Sequence, residues 1–208
     1  MSSRTELAMF PLGTVLLPLM IMPLHVFEPR YRLLAQHCVE GDGELGVVLI
    51  ERGSEVGGGD VRSHVGTRAK VLEAVELDDG RWILGLVGIE RIRVDRWLPD
   101  DPYPRAEVSP FAGAPAGLSG ADRRYEVERL LRRVQALKSE LGESDSSARV
   151  DLDPDPSVAA WQAVGLAPFG AFDAQRVLES GPADDRLALV VALLEDEATV
   201  LAQRLAGG

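Results

Sequence analysis

Much of the fold can be argued from Pro18-Leu19-Met20-Ile21-Met22-Pro23-Leu24-His25-Val26-Phe27, which runs directly into Glu28-Pro29-Arg30-Tyr31. One interpretation of this proline-framed apolar segment is a core strand that leads into a helix. The other is a binding edge, because prolines remove N–H groups from a sheet ladder and methionine side chains adapt to many partners. Both interpretations place a strand and then a helix at this point.

The helix is predicted to span residues 28 to about 39. Pro29 falls in its first turn, where the missing N–H of proline costs no hydrogen bond. One face follows the spacing i, i+3, i+4, i+7 and is expected to dock on a sheet; its members are Tyr31, Leu34, Ala35 and Cys38. The single cysteine of the chain is therefore predicted to be a small buried residue rather than a reactive thiol.

Strands dominate the chain from residue 7 to about residue 108. Short β-branched and apolar runs, separated by Gly, Pro and Asp, predict strands at 15–17, 20–22, 45–50, 61–77 and 82–94. The last two are joined by Asp79-Gly80, which supplies the positive φ angles of a tight primed turn. Beyond Ile89 the second arm alternates apolar and charged residues, so this strand is predicted to be half-buried.

The C-terminal half is predicted to be helical. Residues 111–120 are rich in Ala, Gly, Pro and Ser, typical of a linker, and divide the chain into domains at 1–110 and 121–208. Ser119-Gly120-Ala121-Asp122 matches a capping box that opens a long amphipathic helix. Its apolar stripe is Val127, Leu130, Leu131, Val134, Leu137 and Leu141. Further helices are predicted at 158–164, 173–179 and 184–205, the last packing on the first, which makes a small bundle.

Composition excludes several classes of function. The chain has 208 residues and a net charge of −11, so its field repels nucleic-acid phosphates and anionic lipid headgroups. Its most apolar run, 15–24, is interrupted by prolines and is far shorter than the roughly 20 residues that span a bilayer. No targeting segment is recognised, and the single cysteine favours a reducing, cytoplasmic setting.

Motifs for catalysis and cofactor binding are weak. Gly41-Asp42-Gly43-Glu44-Leu45-Gly46 has dinucleotide-binding spacing, but it leaves a helix and enters a strand, the reverse of the required order. Asp151, Asp153 and Asp155 have calcium-loop spacing, yet Pro156 stands where glycine is needed, so a helix N-terminus is favoured. The three histidines form no helical pair of the kind that binds zinc. No cofactor, metal or catalytic group is predicted.

Several segments occur together in one order. They are Phe10-Pro11-Leu12-Gly13 with Leu17-Pro18, then Met22-Pro23-Leu24-His25-Val26-Phe27-Glu28-Pro29-Arg30-Tyr31, Val65-Gly66-Thr67 with Ala69-Lys70-Val71, Asp79-Gly80, Gly88-Ile89-Glu90-Arg91-Ile92, and the closing stretches 175–179 and 186–205. Together they resemble the Lon N-terminal domain family, the substrate-binding domain of the ATP-dependent Lon protease, in its stand-alone form. One departure is Leu19, where the family usually has glycine after the proline.

The resemblance implies an α+β fold, with a PUA-like, mostly antiparallel β-barrel that carries one inserted helix and is followed by a C-terminal helical bundle. It also implies recognition of unfolded or damaged polypeptide without catalysis, because neither a Walker A motif nor the Ser and Lys spacing of the Lon protease is present in the sequence. The implied partners are extended polypeptides and a Lon-type protease acting in trans.

The leading hypothesis is a non-catalytic module that binds polypeptide through exposed apolar surface. The predicted site consists of Met20, Met22, Phe27, Glu28, Arg30 and Tyr31. Its four apolar members are expected to contact the bound chain. The two charged members, at the exposed start of the helix, are expected to recognise charge.

Two alternatives stay open. A PUA-like barrel could bind RNA through Arg91, Arg93 and Arg96, although the net charge disfavours nucleic acid and the solvated edge of a half-buried strand is the preferred explanation of the arginines. The other alternative is an enzyme with an unrecognised site in the cleft between barrel and bundle. Its sign would be a pocket that holds carboxylates with perturbed pKa values.

Overall fold

The computed structural model of the protein describes residues 4–53, 59–117, 119–143 and 150–207. The chain divides into two compact units, Met1–Ala112 and Gly113–Gly208. This division lies inside 111–120, the stretch that the sequence predicts to be a linker. Within the described residues, no helix combines the length and the apolar character needed to cross a membrane.

In its described residues the first unit consists of six strands and one helix. They are β1 (Thr5–Leu12), β2 (Ile21–Val26), α1 (Pro29–Glu40), β3 (Glu44–Arg52), β4 (Val61–Glu76), β5 (Trp82–Trp97) and β6 (Arg105–Pro110). The sheet order is β2-β5-β4-β3-β1-β6, with β1 and β3 parallel and the remaining pairs antiparallel. β6 also pairs with β5, so the pairings of five strands close on themselves. The α+β class is confirmed, and the sheet is mixed.

The long strand β5 pairs with two different strands along one of its edges. Its first half, from Trp82 to Val87, pairs with β2, and its second half, from Ile92 to Trp97, pairs with β6. Its other side pairs with β4 along most of its length. Among the described strands, β2 therefore has a single neighbour, and one of its edges is not used by the sheet.

Two predictions about the local structure of the first unit are wrong. Residues 15–17 form a loop rather than a strand, and they are apolar because Leu16 and Leu17 are buried there. In the β4–β5 hairpin only Gly80 has a positive φ, so the turn is not of the primed type. The Gly80 N–H bonds to the carbonyl of Leu77, and the Leu77 N–H bonds to that of Arg81, both at 2.8 Å. This is a type I turn closed by a glycine bulge.

Helix α1 buries the face that its spacing predicts, since Tyr31, Leu34, Ala35 and Cys38 are all buried. This face belongs to a core cluster that also includes Phe10, Leu12, Leu16, Leu24, Val26, Leu45, Val47, Ala69, Leu84, Leu86 and Tyr103. A second cluster is formed by Leu7, Met9, Val48, Ile92, Val94, Ala106 and Val108. Removal of this apolar surface from water is the main force that stabilises the unit.

The second unit consists, in its described residues, of four helices. They are α2 (Gly120–Glu140), α3 (Pro156–Leu166), α4 (Ala171–Glu179) and α5 (Ala183–Gly207). Helix α5 packs against α2, as predicted, and also contacts α3 and α4. Asp155 caps α3, because its carboxylate accepts a hydrogen bond from the Ser157 N–H at 2.8 Å. The prediction of a capping box at Ser119 is wrong, since Ser119 has helical backbone angles and its side chain makes no capping hydrogen bond.

Candidate functional site

A turn before β2 contains a backbone conformation that is unusual for a leucine. The Met20 N–H donates to the carbonyl of Leu17 at 3.2 Å, which places Pro18 and Leu19 at the two central positions. Leu19 has a φ of 67°, and among the described residues it is the one non-glycine residue with a positive φ. Proline followed by positive φ is the pattern of a type II turn, where glycine is preferred. A leucine in this conformation costs about 1–2 kcal/mol.

The turn is fixed by contacts with β4 and β5. The Leu19 N–H donates to the carbonyl of Gly88 at 2.8 Å, and the Gly88 N–H donates to that of Met20 at 2.9 Å. A Cβ at position 88 would lie 2.2 Å from the carbonyl oxygen of Leu17, so only glycine fits there. The Thr67 hydroxyl donates to the Leu16 carbonyl at 2.6 Å. These bonds hold the turn while leaving the Leu19 side chain 55% exposed.

Strand β2 presents apolar side chains to solvent beside this turn. Leu24 and Val26 point into the core, whereas Ile21 is 70% exposed, and Phe27, directly after the strand, is 53% exposed. On β5, the half-buried Val87 lies directly opposite Ile21 and extends the apolar area. We call Leu19, Ile21, Phe27 and Val87 the β2 surface. It combines an unused strand edge with uncovered apolar side chains.

The structure distributes the predicted site residues unevenly. Phe27 is exposed, as the hypothesis requires. Met20 and Met22 are half-buried and pack against the core cluster. Glu28 and Arg30 do not form an open charged pair at the start of the helix. They are half-buried and bound to each other, with 3.2 Å between Arg30 Nε and Glu28 Oε2.

The prediction that Tyr31 contacts a bound chain is wrong. Tyr31 is 4% exposed, and its ring stacks on Phe10 with 4.2 Å between the ring centroids. The Arg30 guanidinium covers the ring at 4.5 Å from its centroid. Burial raises the pKa of the Tyr31 phenol to about 12. Tyr31 lies on the face of α1 that docks on the sheet. Its side chain is therefore not available to contact a bound chain.

A small cavity lies beside the β2 surface. Its volume is about 50 Å³, and it is lined by Phe10, Leu12, Leu24, His25, Phe27, Glu28 and Tyr31. Phe27 is thus shared between this cavity and the exposed surface. The sequence hypothesis missed Leu19 and Ile21. The alternation of Ile21, Pro23 and His25 with Met22, Leu24 and Val26 was the signal that separates the exposed face of β2 from its buried face.

The arginines considered for RNA are largely engaged within the protein. Arg96 forms an ion pair with Glu107. Arg91 is 6% exposed, and the guanidiniums of Arg91 and Arg93 lie 4.6 and 4.7 Å from the ring centroid of Phe111. They do not form the open row of cations that a phosphate backbone requires.

Cys38 and His37 are adjacent in the sequence but make different contacts in the structure. Cys38 is buried, and burial raises the pKa of its thiol to about 11. His37 Nδ1 lies 2.8 Å from the Tyr103 hydroxyl, whereas the thiol of Cys38 donates to the carbonyl of Glu44 at 3.6 Å. No group of three or more His, Cys, Asp or Glu residues in the described part of the chain is arranged to hold a metal ion.

Most of the chain matches a known protein family. The model described as the ATP-dependent protease La (LON) substrate-binding domain matches residues 6–196. The chain belongs to this family. The Lon protease of Desulfosudis oleivorans is 35% identical to this chain over 92 residues, 43% of this chain and 11% of that protein. Lon protease 1 of Herpetosiphon aurantiacus is 26% identical over 207 residues, 94% of this chain and 25% of that protein. This chain spans a quarter or less of the length of these relatives.

Solved structures show the same fold. A Lon N-terminal domain protein from Xanthomonas campestris is 26% identical, with a TM-score of 0.66 over 90% of this chain and 98% of that chain. The N-terminal domain of the Mycobacterium avium complex Lon protease has a TM-score of 0.68 over 92% of this chain and 99% of that chain. Its 18% identity supports the fold alone. The arrangement of strands and helices in this chain is therefore that of Lon N-terminal domains.

Proposed function

We propose that the protein is a non-catalytic module that binds unfolded or damaged polypeptide segments through the β2 surface. The observation that carries this proposal is the exposure of Leu19, Ile21 and Phe27 around a strand with one edge that no other described strand pairs with. An extended chain can add to such an edge through backbone hydrogen bonds, which are independent of its sequence. Apolar side chains of that chain then cover those of the module.

Membership of a family described as substrate-binding supports this role. We also infer that the closed pairings of β1 and β3–β6 form a PUA-like barrel, and that α2–α5 form a bundle. The proposed partners are extended polypeptides, which the module delivers to a Lon-type protease acting in trans. The proposed compartment is the cytoplasm, because its reducing conditions suit a free cysteine.

Affinity is expected to be weak and tolerant of sequence. A small set of exposed side chains gives little burial, while backbone hydrogen bonds replace bonds to water and contribute little net free energy. Such binding suits a receptor that must accept many unfolded chains and release them. Specificity then comes from the accessibility of apolar segments in the client rather than from one motif.

The test is binding of a reduced, alkylated model protein, measured by fluorescence anisotropy. The variant Leu19→Ser/Ile21→Ser/Phe27→Ser is expected to weaken binding about tenfold or more, since each lost side chain removes on the order of 1 kcal/mol of apolar contact. The matched control is Leu33→Ser/Val39→Ser, which changes exposed apolar residues of α1 outside the β2 surface. Equal binding by the wild type and the triple variant would exclude this site.

A further inference from the structure

The second unit contains a groove where α4 begins. One wall is the segment Pro168-Phe169-Gly170 with the first turns of α4, the other is the middle of α5, and the groove has a volume of about 330 Å³. The α5 wall consists of Leu193, Asp196, Glu197 and Val200. These residues are spaced by three, four and seven positions and so share one face of the helix. That face lies beside the buried stripe of α5 and is not part of it.

The floor of the groove is apolar and open. Phe169 and Leu193 are half-buried, and Val200 is 51% exposed. A Cβ added at Gly170 would meet no atom within 4 Å, so the space above this backbone is empty. Phe172, one residue into α4, is 63% exposed. Apolar side chains of a partner would remove this surface from water.

The rim of the groove is acidic. Asp173 is paired with Arg176 at 3.0 Å, but in the part of the chain that the structure describes neither Asp196 nor Glu197 has an ion pair. Helix α5 carries no Lys or Arg one turn before or after these two carboxylates, so the helix does not neutralise them itself. Residues 171–208 hold seven carboxylates against three guanidiniums. The local field therefore attracts cations.

We propose that this groove docks a basic amphipathic segment of a partner protein, distinct from the unfolded chains assigned to the β2 surface. Its apolar side chains lie over Phe169, Leu193 and Val200, and its Lys or Arg side chains pair with Asp196 and Glu197. Charge complementarity selects this occupant, since a groove with an apolar floor and an unneutralised acidic rim repels acidic peptides, nucleic acid and anionic lipid. A second copy of this chain fits poorly, because like net charges repel.

The test measures anisotropy of a fluorescein-labelled peptide of leucine and lysine patterned as an amphipathic helix. The full chain is expected to bind this peptide and to bind it more weakly in high salt. It is expected not to bind a matched peptide with glutamate in place of lysine. Asp196→Asn/Glu197→Gln is expected to weaken binding about tenfold. Glu140→Gln/Glu195→Gln removes the same charge from exposed positions outside the groove and is expected to change binding less than twofold.

A second pair of variants tests the groove by shape. Gly170 has a φ of −70° and caps α4, so other residues can adopt its backbone. Gly170→Trp fills the open space and is expected to weaken peptide binding at least tenfold, whereas Gly170→Ser is expected to leave it unchanged. Thermal unfolding checks that each variant is folded, and the carboxylate variants, being on the surface, keep the test valid if Gly170→Trp is unstable.

Four outcomes overturn the proposal. They are equal binding of both peptides, an equal effect of the two charge-removing pairs, full binding by Gly170→Trp, and a wild-type dimer in sedimentation that Gly170→Trp dissociates. The last would make a second copy the occupant. The triple variant of the β2 surface is expected to bind the basic peptide normally. Failure of this proposal is therefore distinguishable from failure of the proposed function.

Discussion

The Leu19 N–H donates a hydrogen bond to the carbonyl of Gly88 at 2.8 Å, and this bond ties the turn before β2 to β5. It holds Leu19 at a φ of 67°, a conformation that favours glycine. The sequence therefore places a large apolar side chain on a backbone conformation that favours a residue without a side chain. Such local conflicts are expected where a surface has a role other than stability.

Leu19→Gly is expected to stabilise the first unit while weakening polypeptide binding. Relief of strain exceeds the entropy that glycine adds to the unfolded chain, so the free energy of unfolding should rise by about 0.5–1 kcal/mol. Urea unfolding measures this change, and anisotropy with the unfolded model protein measures the loss of binding. The control Leu33→Gly, within helix α1, should instead lower stability by about 1 kcal/mol. A less stable Leu19→Gly variant would contradict the strain argument.

Gly88→Ala is expected to destabilise the first unit severely. Its Cβ would lie 2.2 Å from the Leu17 carbonyl oxygen, which is backbone and cannot move without breaking the turn. We expect a loss of about 3 kcal/mol in unfolding free energy, comparable to other steric changes in a packed site. Gly85→Ala on the same strand is the control, since its Cβ would meet Glu73 Cβ at an ordinary 3.7 Å. Similar urea midpoints for the two variants would refute the close approach.

Tyr31 is expected to govern stability rather than binding. Tyr31→Ala should lose about 3–5 kcal/mol, as for other buried aromatic residues, whereas Tyr31→Phe should keep polypeptide binding at the wild-type level. Burial raises the pKa of the phenol to about 12, above its ordinary value of 10.0. The neutral phenol thus favours the folded state below pH 10, and this contribution is lost as the pH rises from 10 towards 12. Alkaline unfolding of the wild type and Tyr31→Phe measures this difference.

Cys38 is expected to be inert in the folded protein. Burial raises the pKa of its thiol to about 11, so little thiolate forms at pH 8, and the sulfur is shielded from reagents. Reaction with a chromogenic disulfide at pH 8 should be slow in buffer and fast in concentrated urea. Fast modification of the folded protein would show that the thiol is accessible and would reopen a catalytic interpretation of Cys38.

Helix α1 is an element that the sequence predicts well. Its span and its buried face follow from the spacing of Tyr31, Leu34, Ala35 and Cys38, because a helix places these residues on one side whatever surrounds it. The hairpin position follows likewise from Asp79-Gly80, although the turn type does not. Two backbone bonds close a three-residue loop there, and those depend on how the twisted strands meet.

The binding site illustrates the opposite case. The apolar residues of 18–31 indicate where a surface could be, but each of them is apolar for one of two reasons, burial or contact with a partner. Tyr31 is buried by its stacking on Phe10, and Ile21 is exposed because it lies on the outer face of β2. Spacing within the stretch separates the two faces of β2 and the docking face of α1. Which face of β2 is left uncovered depends on the strands that lie beside it.

By itself, the sequence determined the helices, most strands, the membership of the LON family and the acidic character of the protein, since periodicity, turn residues and charge are local properties. Only the tertiary structure decided which apolar side chains stay exposed and which carboxylates stay unpaired. The conformation of Leu19 depends on its hydrogen bond to Gly88. The groove on α5 depends on the segment before α4, which forms its other wall. Burial and pairing are set by residues far apart in the chain, which meet only when it folds.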